Sequence, residues 1–235
     1  MAHSPSVSSA LAIVGFSLAL AGCGGGSDST VVTTTTAASS TTSETLATTT
    51  TSTREGPQSL VSGSLLGPGE YITTLFEPTV VYRIEREHLL RGFQAEHVTG
   101  LHSRKTRMGN LTNIAPYRGV AIHNVWHGLT QDEVLTKLQE VEVVELGPTA
   151  EVELAGFRGV QTESAVAGNS ILWDQRGTGR FDEWVLESNQ VVRFIILDTP
   201  AGTMLITIGA DAEEWDEFLP VAEEILAGIS FPDLD

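Results

Sequence analysis

Apolar positions recur along this chain with two different periods, and the switch from one to the other marks its elements. The clearest segment is VVRFIILDT (191–199), a Pro200-Ala201-Gly202 turn, and MLITIGA (204–210). Both runs are apolar at odd and even positions alike. That pattern predicts a hairpin buried on both faces, in the centre of a sheet. YITTLF (71–76) and TVVYRI (79–84), rich in β-branched and aromatic residues around Glu77-Pro78, predict a second hairpin. Single strands are predicted near 93–102 and at GVAIHNVW (119–126), and two short ones around Gly156 in EVELAGFRGVQTE (151–163).

The helical period occurs twice. Thr130 opens T-Q-D-E, a capping box with Glu133 at the third helical position. Val134, Leu135, Leu138 and Val141 then recur at helical spacing, and Gly147-Pro148 is the predicted stop. The second helix is predicted from near Asp211 to about Ala227. Trp215, Phe218, Leu219, Ala222, Ile225 and Leu226 form one apolar stripe with carboxylates mostly outside it. Pro220 is expected to kink this helix, Gly228 to cap it, and Ile229-Ser230-Phe231 to return to the sheet or core. Together these elements predict one α+β domain over 57–235, a mainly antiparallel sheet with helices on its faces. The chain there is long enough for a sizeable core.

The first 56 residues follow other rules. LAIVGFSLALA (11–21) has the length of a signal-peptide apolar core and is too short to span a bilayer comfortably. It runs into Leu20-Ala21-Gly22-Cys23, small residues before a cysteine, which resembles the lipobox of bacterial lipoproteins. Residues 1–22 are therefore expected to be a signal peptide and Cys23 the lipid-bearing first residue of the mature chain. The preceding MAHSPSVSS carries no Lys or Arg, a departure from the positive start of such segments. Residues 23–56 are dominated by Gly, Ser and Thr, as in TVVTTTTAASSTTSETLATTTTSTRE. Almost nothing in them can be buried, so a disordered tether is expected. As a flexible coil it would span roughly 30 Å.

Charge and cysteine count narrow the chemistry. The net charge is −17, and residues 1–22 contain no Asp, Glu, Lys or Arg, so all of it follows Cys23. Such a chain repels nucleic acid, and no nucleic-acid partner is expected. Cys23 is the only cysteine. That excludes an internal disulfide and a cysteine-based zinc site and, with Cys23 lipidated, a cysteine nucleophile.

Beyond the tether, the order of motifs carries a resemblance. It consists of G-E-Y-x-T-T-x-F-x-P (Gly69 to Pro78), the T-x-x-E helix, G-F-R-G-V (Gly156 to Val160), R-F-I-I-L-D-T-P-A-G (Arg193 to Gly202) and a closing F-L-P helix (Phe218 to Pro220) that leads to I-S-F. This is similar to the extracytoplasmic domains of actinobacterial lipoproteins, of the LpqN type, with a Mog1/PsbP-like α/β/α sandwich. The resemblance covers most of 65–232. It implies that fold and an accessory or binding role, and it supplies no catalytic residue.

Candidate sites are few. His123 and His127 in H-N-V-W-H would share one face of a helix, but Asn124 stands where a general base is needed. The segment also reads as strand, which sets residues four apart at about 13 Å. His88, His97 and His102 show no ligand spacing. No G-x-S-x-G is present, and R-G-T-G-R (Arg176 to Arg180) lacks the third glycine of a dinucleotide loop. Arg104, Lys105 and Arg107 read as a solvated basic loop or as a contact for an anionic polymer. No catalytic residue, metal or cofactor is assigned. The stretch from Trp173 to Trp184, WDQRGTGRFDEW, gathers the residue types that dominate binding hot spots: Trp173, Arg176, Arg180, Phe181 and Trp184. With a turn at Thr178-Gly179, Trp173 falls opposite Trp184 and Asp174 opposite Glu183. Paired tryptophans at the base of a hairpin also fit a core. Two function classes follow: a non-enzymatic surface lipoprotein that binds an envelope protein or cell-wall polymer, or an envelope enzyme with a site assembled from scattered polar residues.

Overall fold

The computed structural model describes residues 56–103, 118–174 and 183–234. The signal segment, Cys23, most of the tether, the basic loop around Arg104 and the stretch holding Arg176, Arg180 and Phe181 lie outside the described residues.

The chain from 190 to 211 sets the architecture. Gln190–Thr199 and Gly202–Asp211 pair antiparallel without a break, from Gln190↔Asp211 to Thr199↔Gly202. Alternate side chains go to opposite faces. Ile195, Leu197, Met204, Ile206, Ile208 and Ala210 join one core, while Val192, Phe194, Ile196 and Leu205 join another. Apolar residues at both parities thus demand a cover on each side. In chain order the strands are β1 (Gln58–Ser59), β2 (Leu65–Leu66), β3 (Gly69–Ile72), β4 (Val81–Ile84), β5 (Leu90–Gln94), β6 (Val98–Ser103), β7 (Arg118–His123), β8 (Ala150–Leu154), β9 (Phe157–Ala165), β10 (Ser170–Asp174), β11 (Glu183–Leu186), β12 and β13 as above, and β14 (Ile229–Ser230). The large sheet has eight strands in the order β2-β5-β6-β7-β13-β12-β9-β8, so the long hairpin is interior as its pattern predicts.

One face is covered by α2 (Trp215–Ala227) and a four-stranded sheet, β1-β3-β4-β14. The other is covered by α1 (Gln131–Gln139) and the two-stranded β10–β11 hairpin. The fold is therefore an α+β sandwich, mainly antiparallel, with helices on both faces. Among the described residues only β1 and β3 pair in parallel.

Local sequence explains several boundaries. The α1 capping box is complete: Glu133 N–H reaches Thr130 Oγ1, and Thr130 N–H reaches Glu133 Oε2 at 2.8 Å. Ala155 (φ 51°) and Gly156 (φ 82°) form the two-residue turn between β8 and β9, where left-handed backbone suits a hairpin. The stripe on α2 is buried at Trp215, Phe218, Ala222, Ile225 and Leu226, and the helix runs on past Pro220. Arg118 reaches Glu214 (3.4 Å) and Glu217 (3.3 Å), and Arg193 reaches Glu223 (3.4 Å), so two sheet arginines clamp α2 from below.

Several boundaries differ from the pattern reading. The strands predicted at 71–76 and 79–84 are Gly69–Ile72 and Val81–Ile84. The 93–102 strand is two strands, β5 and β6, joined by a turn in which Ala95 N–H bonds Val98 O (2.7 Å). No Gly or Pro marks that turn. The 119–126 strand ends at His123. Helix α1 stops at Gln139, short of Gly147-Pro148; a turn follows, with Val144 N–H on Val141 O (2.9 Å), and Val144 pairs with Val166 in an isolated bridge. Helix α2 starts at Trp215, since Asp211 still belongs to the β13 ladder opposite Gln190.

Candidate functional site

The H-x-x-x-H pair is separated by the end of β7. His123 is its last residue and is fully buried, whereas His127 stands in the following turn, exposed. Beneath β10–β11, His123 meets the two tryptophans. Trp173 and Trp184 are register partners, 5% and 3% exposed, with rings stacked at 6.5 Å. Trp184 lies edge-on to the His123 ring at 4.8 Å and stacks on Phe93 at 6.1 Å. Trp173 Nε1–H donates to His123 Nδ1 (3.1 Å), so the His123 hydrogen is on Nε2 and points at Thr207 Oγ1 (2.9 Å). Burial pushes the His123 pKa down to about 3.

A histidine against a threonine hydroxyl has the outline of a base and its nucleophile. The chemistry here is the reverse. A base must offer the hydroxyl a lone pair, and Nε2 offers it a hydrogen. The one lone-pair nitrogen is taken by Trp173, and Thr207 is 4% exposed, out of a substrate's reach. The cluster is core, and the two indoles are packing residues. Asp174 stands opposite Glu183 as the register requires. Burying two rings outweighs a like-charge cost of a few tenths of a kcal/mol at the surface.

The concave surface lies elsewhere, at one end of the large sheet. Two clefts of about 510 and 460 Å3 share Glu77, Asn124 and His127. The first adds Leu75, Glu96, His97 and Val125, and the second adds Asp233, Met204 and neighbours. Asn124 organises them. Its Nδ2 donates to Glu77 O (2.7 Å) and Glu96 O (3.2 Å), which ties the β3–β4 loop to the β5–β6 turn. Its own carbonyl accepts from His127 Nδ1–H (2.9 Å). His97 Nε2 is buried without a partner. Among the described residues no three His, Cys, Asp or Glu side chains converge closely enough to hold a metal ion. The two clefts bring together carboxylates (Glu77, Glu96, Asp233), imidazoles (His97, His127) and apolar side chains such as Leu75, Val125 and Met204. Sequence spacing did not mark them, because His97, Asn124 and Glu77 come from three separate connections.

The class defined by these features is an α+β sandwich domain with open surface clefts and an aromatic, imidazole-centred core on one face. No protein-family model matches the chain, and no curated protein matches it. Among solved structures, the solution structure of cyanobacterial PsbP (CyanoP) from Synechocystis sp. PCC 6803 is similar, at 8% identity with a TM-score of 0.42, covering 75% of this chain and 99% of that one. No helix among the described residues is long and apolar enough to cross a membrane.

Proposed function

We propose that this chain is an extracytoplasmic lipoprotein of the LpqN type, with a non-enzymatic accessory or binding role, held at the outer face of the cell membrane by lipid on Cys23. The observation that carries this reading is the apolar run 11–21 ending in Leu-Ala-Gly-Cys. A lipoprotein cysteine bears two or more acyl chains, enough for stable anchoring. The Ser/Thr-rich stretch 23–56 supplies the tether, and its partner is an envelope protein or a cell-wall polymer. A binding role is supported by the open clefts around Glu77, Asn124 and His127, which present polar and apolar groups side by side. Partner contact is proposed at Arg176, Arg180 and Phe181, between Trp173 and Trp184. Feeding cells a fatty-acid analogue is expected to label the wild type and not Cys23→Ser. An unlabelled wild type in the membrane-free fraction overturns the anchor. Replacing Arg176 and Arg180 with Ala is expected to weaken retention of the cross-linked partner at unchanged stability. Equal retention removes that contact.

A further inference from the structure

Strand β10 has a neighbour on one side alone. It pairs with β11, and among the described residues no other strand joins that two-stranded sheet. Successive side chains of a strand point to opposite faces, so a hollow that touches every residue of a strand runs along its edge. An open groove of about 430 Å3 touches all five residues of β10, Ser170 to Asp174. β11 occupies one edge, so the groove lies along the other, where an edge strand turns N–H and C=O groups outward.

The facing wall is the end of α1. Lys137 stands in its last turn and Glu140 caps it. Lys137, Glu140 and Val141 are three and four positions apart, which puts them on one side of that turn. Glu142 follows and lines the same wall. Trp126, half-buried, and Ile171, 41% exposed, add apolar surface. An exposed sheet edge takes an extended peptide by adding it as a strand: the main chain supplies the hydrogen bonds, and the walls select its side chains.

We infer that this groove takes a short extended segment of a partner protein, with Lys or Arg beside apolar side chains, which adds a third strand next to β10. The inference rests on the binding role proposed above and gives that role a site and a partner chemistry. Strand pairing asks for alternating N–H and C=O groups, which a peptide has and a glycan lacks. Charge selects basic side chains. Glu140 and Glu142 outnumber Lys137, and the C-terminal end of α1 carries partial negative charge. The same charge disfavours a second copy in the groove, since each chain carries −17. The register shift between Ile171 and Trp173 bends β10, so the edge suits a short segment and not a long flat strand.

The probe is the capped peptide Lys-Val-Lys-Val-Lys, as long as β10, added to the 15N-labelled full chain. Amide shifts are expected at 170–174 and 137–142, with NOE cross-peaks from β10 amides to peptide protons. Glu-Val-Glu-Val-Glu, and the basic peptide with every amide N-methylated, should each bind at least several-fold more weakly. Glu140→Lys with Glu142→Lys, both at exposed positions, should weaken the basic peptide and strengthen the acidic one. No shift at 170–174 overturns the inference. Equal binding of the N-methylated peptide also overturns it, because charge alone would then hold the peptide. Shifts at 170–174 that grow with protein concentration before any peptide is added put a second copy in the groove, and overturn it too. The Cys23 anchor and the contact at Arg176 and Arg180 are read separately on cells, so a failed groove leaves the binding role standing.

Discussion

The two hairpins that meet across the sheet are stabilised on different terms. β12 and β13 pair over ten residues each and bury both faces. β10 and β11 are five and four residues long, with a register shift between Ile171 and Trp173. The long hairpin is held by apolar area spread over many side chains. The short one is held by two stacked rings, Leu172, Leu186 and one indole–imidazole hydrogen bond. Spread area makes the first insensitive to solution conditions. Dependence on an imidazole makes the second sensitive to acid.

The largest single effect is expected in the long hairpin. Ile196 on β12 is fully buried. Ile196→Ala should cost about 2–5 kcal/mol, since the methyl groups are lost and a cavity is left in a packed centre. The check is the denaturant midpoint at unchanged slope. A cost under about 1 kcal/mol would mean that β12 is not packed on both faces.

Acid should act through the other hairpin. The His123 pKa is about 3 in the fold, against 6.5 for an ordinary histidine. Below pH 6.5 the unfolded chain binds a proton that the folded chain refuses until near pH 3. Stability is then complete above pH 6.5 and is lost as pH falls, by about 1.4 kcal/mol per pH unit. Between pH 6.5 and 5 the loss is about 2 kcal/mol. The Glu133 carboxyl, held low by the Thr130 backbone N–H, adds a loss of the same sign at lower pH, and Asp211, raised mainly by burial, opposes it. His123→Gln isolates the imidazole: the stability gap between wild type and variant should narrow by that amount from pH 6.5 to 5. A constant gap would mean that His123 titrates normally.

The difference between the hairpins also governs what could be read from sequence. Apolar residues at both parities, bounded by Pro200-Ala201-Gly202, place β12 and β13 in the sheet centre without any tertiary information. The Trp173↔Trp184 and Asp174↔Glu183 register follows from counting outward from Thr178-Gly179. The shift beside Trp173 does not follow, and neither does the partner of its indole, because His123 lies fifty residues away on another strand. The small sheet was legible only in part: the pattern around Glu77-Pro78 marks β3 and β4. β1 and β14 have two residues each, too few to show a period, and their pairing with β3 and β4 is not written in the pattern. The clefts required three connections to meet around Asn124, and loop residues carry no period at all.

Removing only the polar part of the short hairpin's anchor gives an intermediate effect. Trp173→Phe keeps an aromatic ring and deletes the N–H that His123 Nδ1 accepts. A buried nitrogen left without a donor costs about 1–3 kcal/mol. The same variant should take up a proton at a higher pH, since Nδ1 is no longer occupied; the denaturant midpoint reads the first result and an NMR titration of the His123 ring the second. An unchanged titration with unchanged stability would show that the 3.1 Å contact is not a hydrogen bond.

The smallest effect repeats the first substitution in the other hairpin. Ile171 stands on β10 opposite Val185, 41% exposed, on the wall of an open groove with Trp126 and Lys137. Much of its side chain is already in water, so less transfer free energy is at stake than at Ile196. Solvent can also fill the space that Ala leaves, which removes the cavity contribution. What remains is the loss of a β-branched residue from a strand and of one cross-strand neighbour, a few tenths of a kcal/mol each. Ile171→Ala should therefore cost less than about 1 kcal/mol in the same denaturant experiment. A cost equal to that of Ile196→Ala would mean that the outer side of β10 is covered in solution, and it would place Ile171 in a contact rather than at a surface.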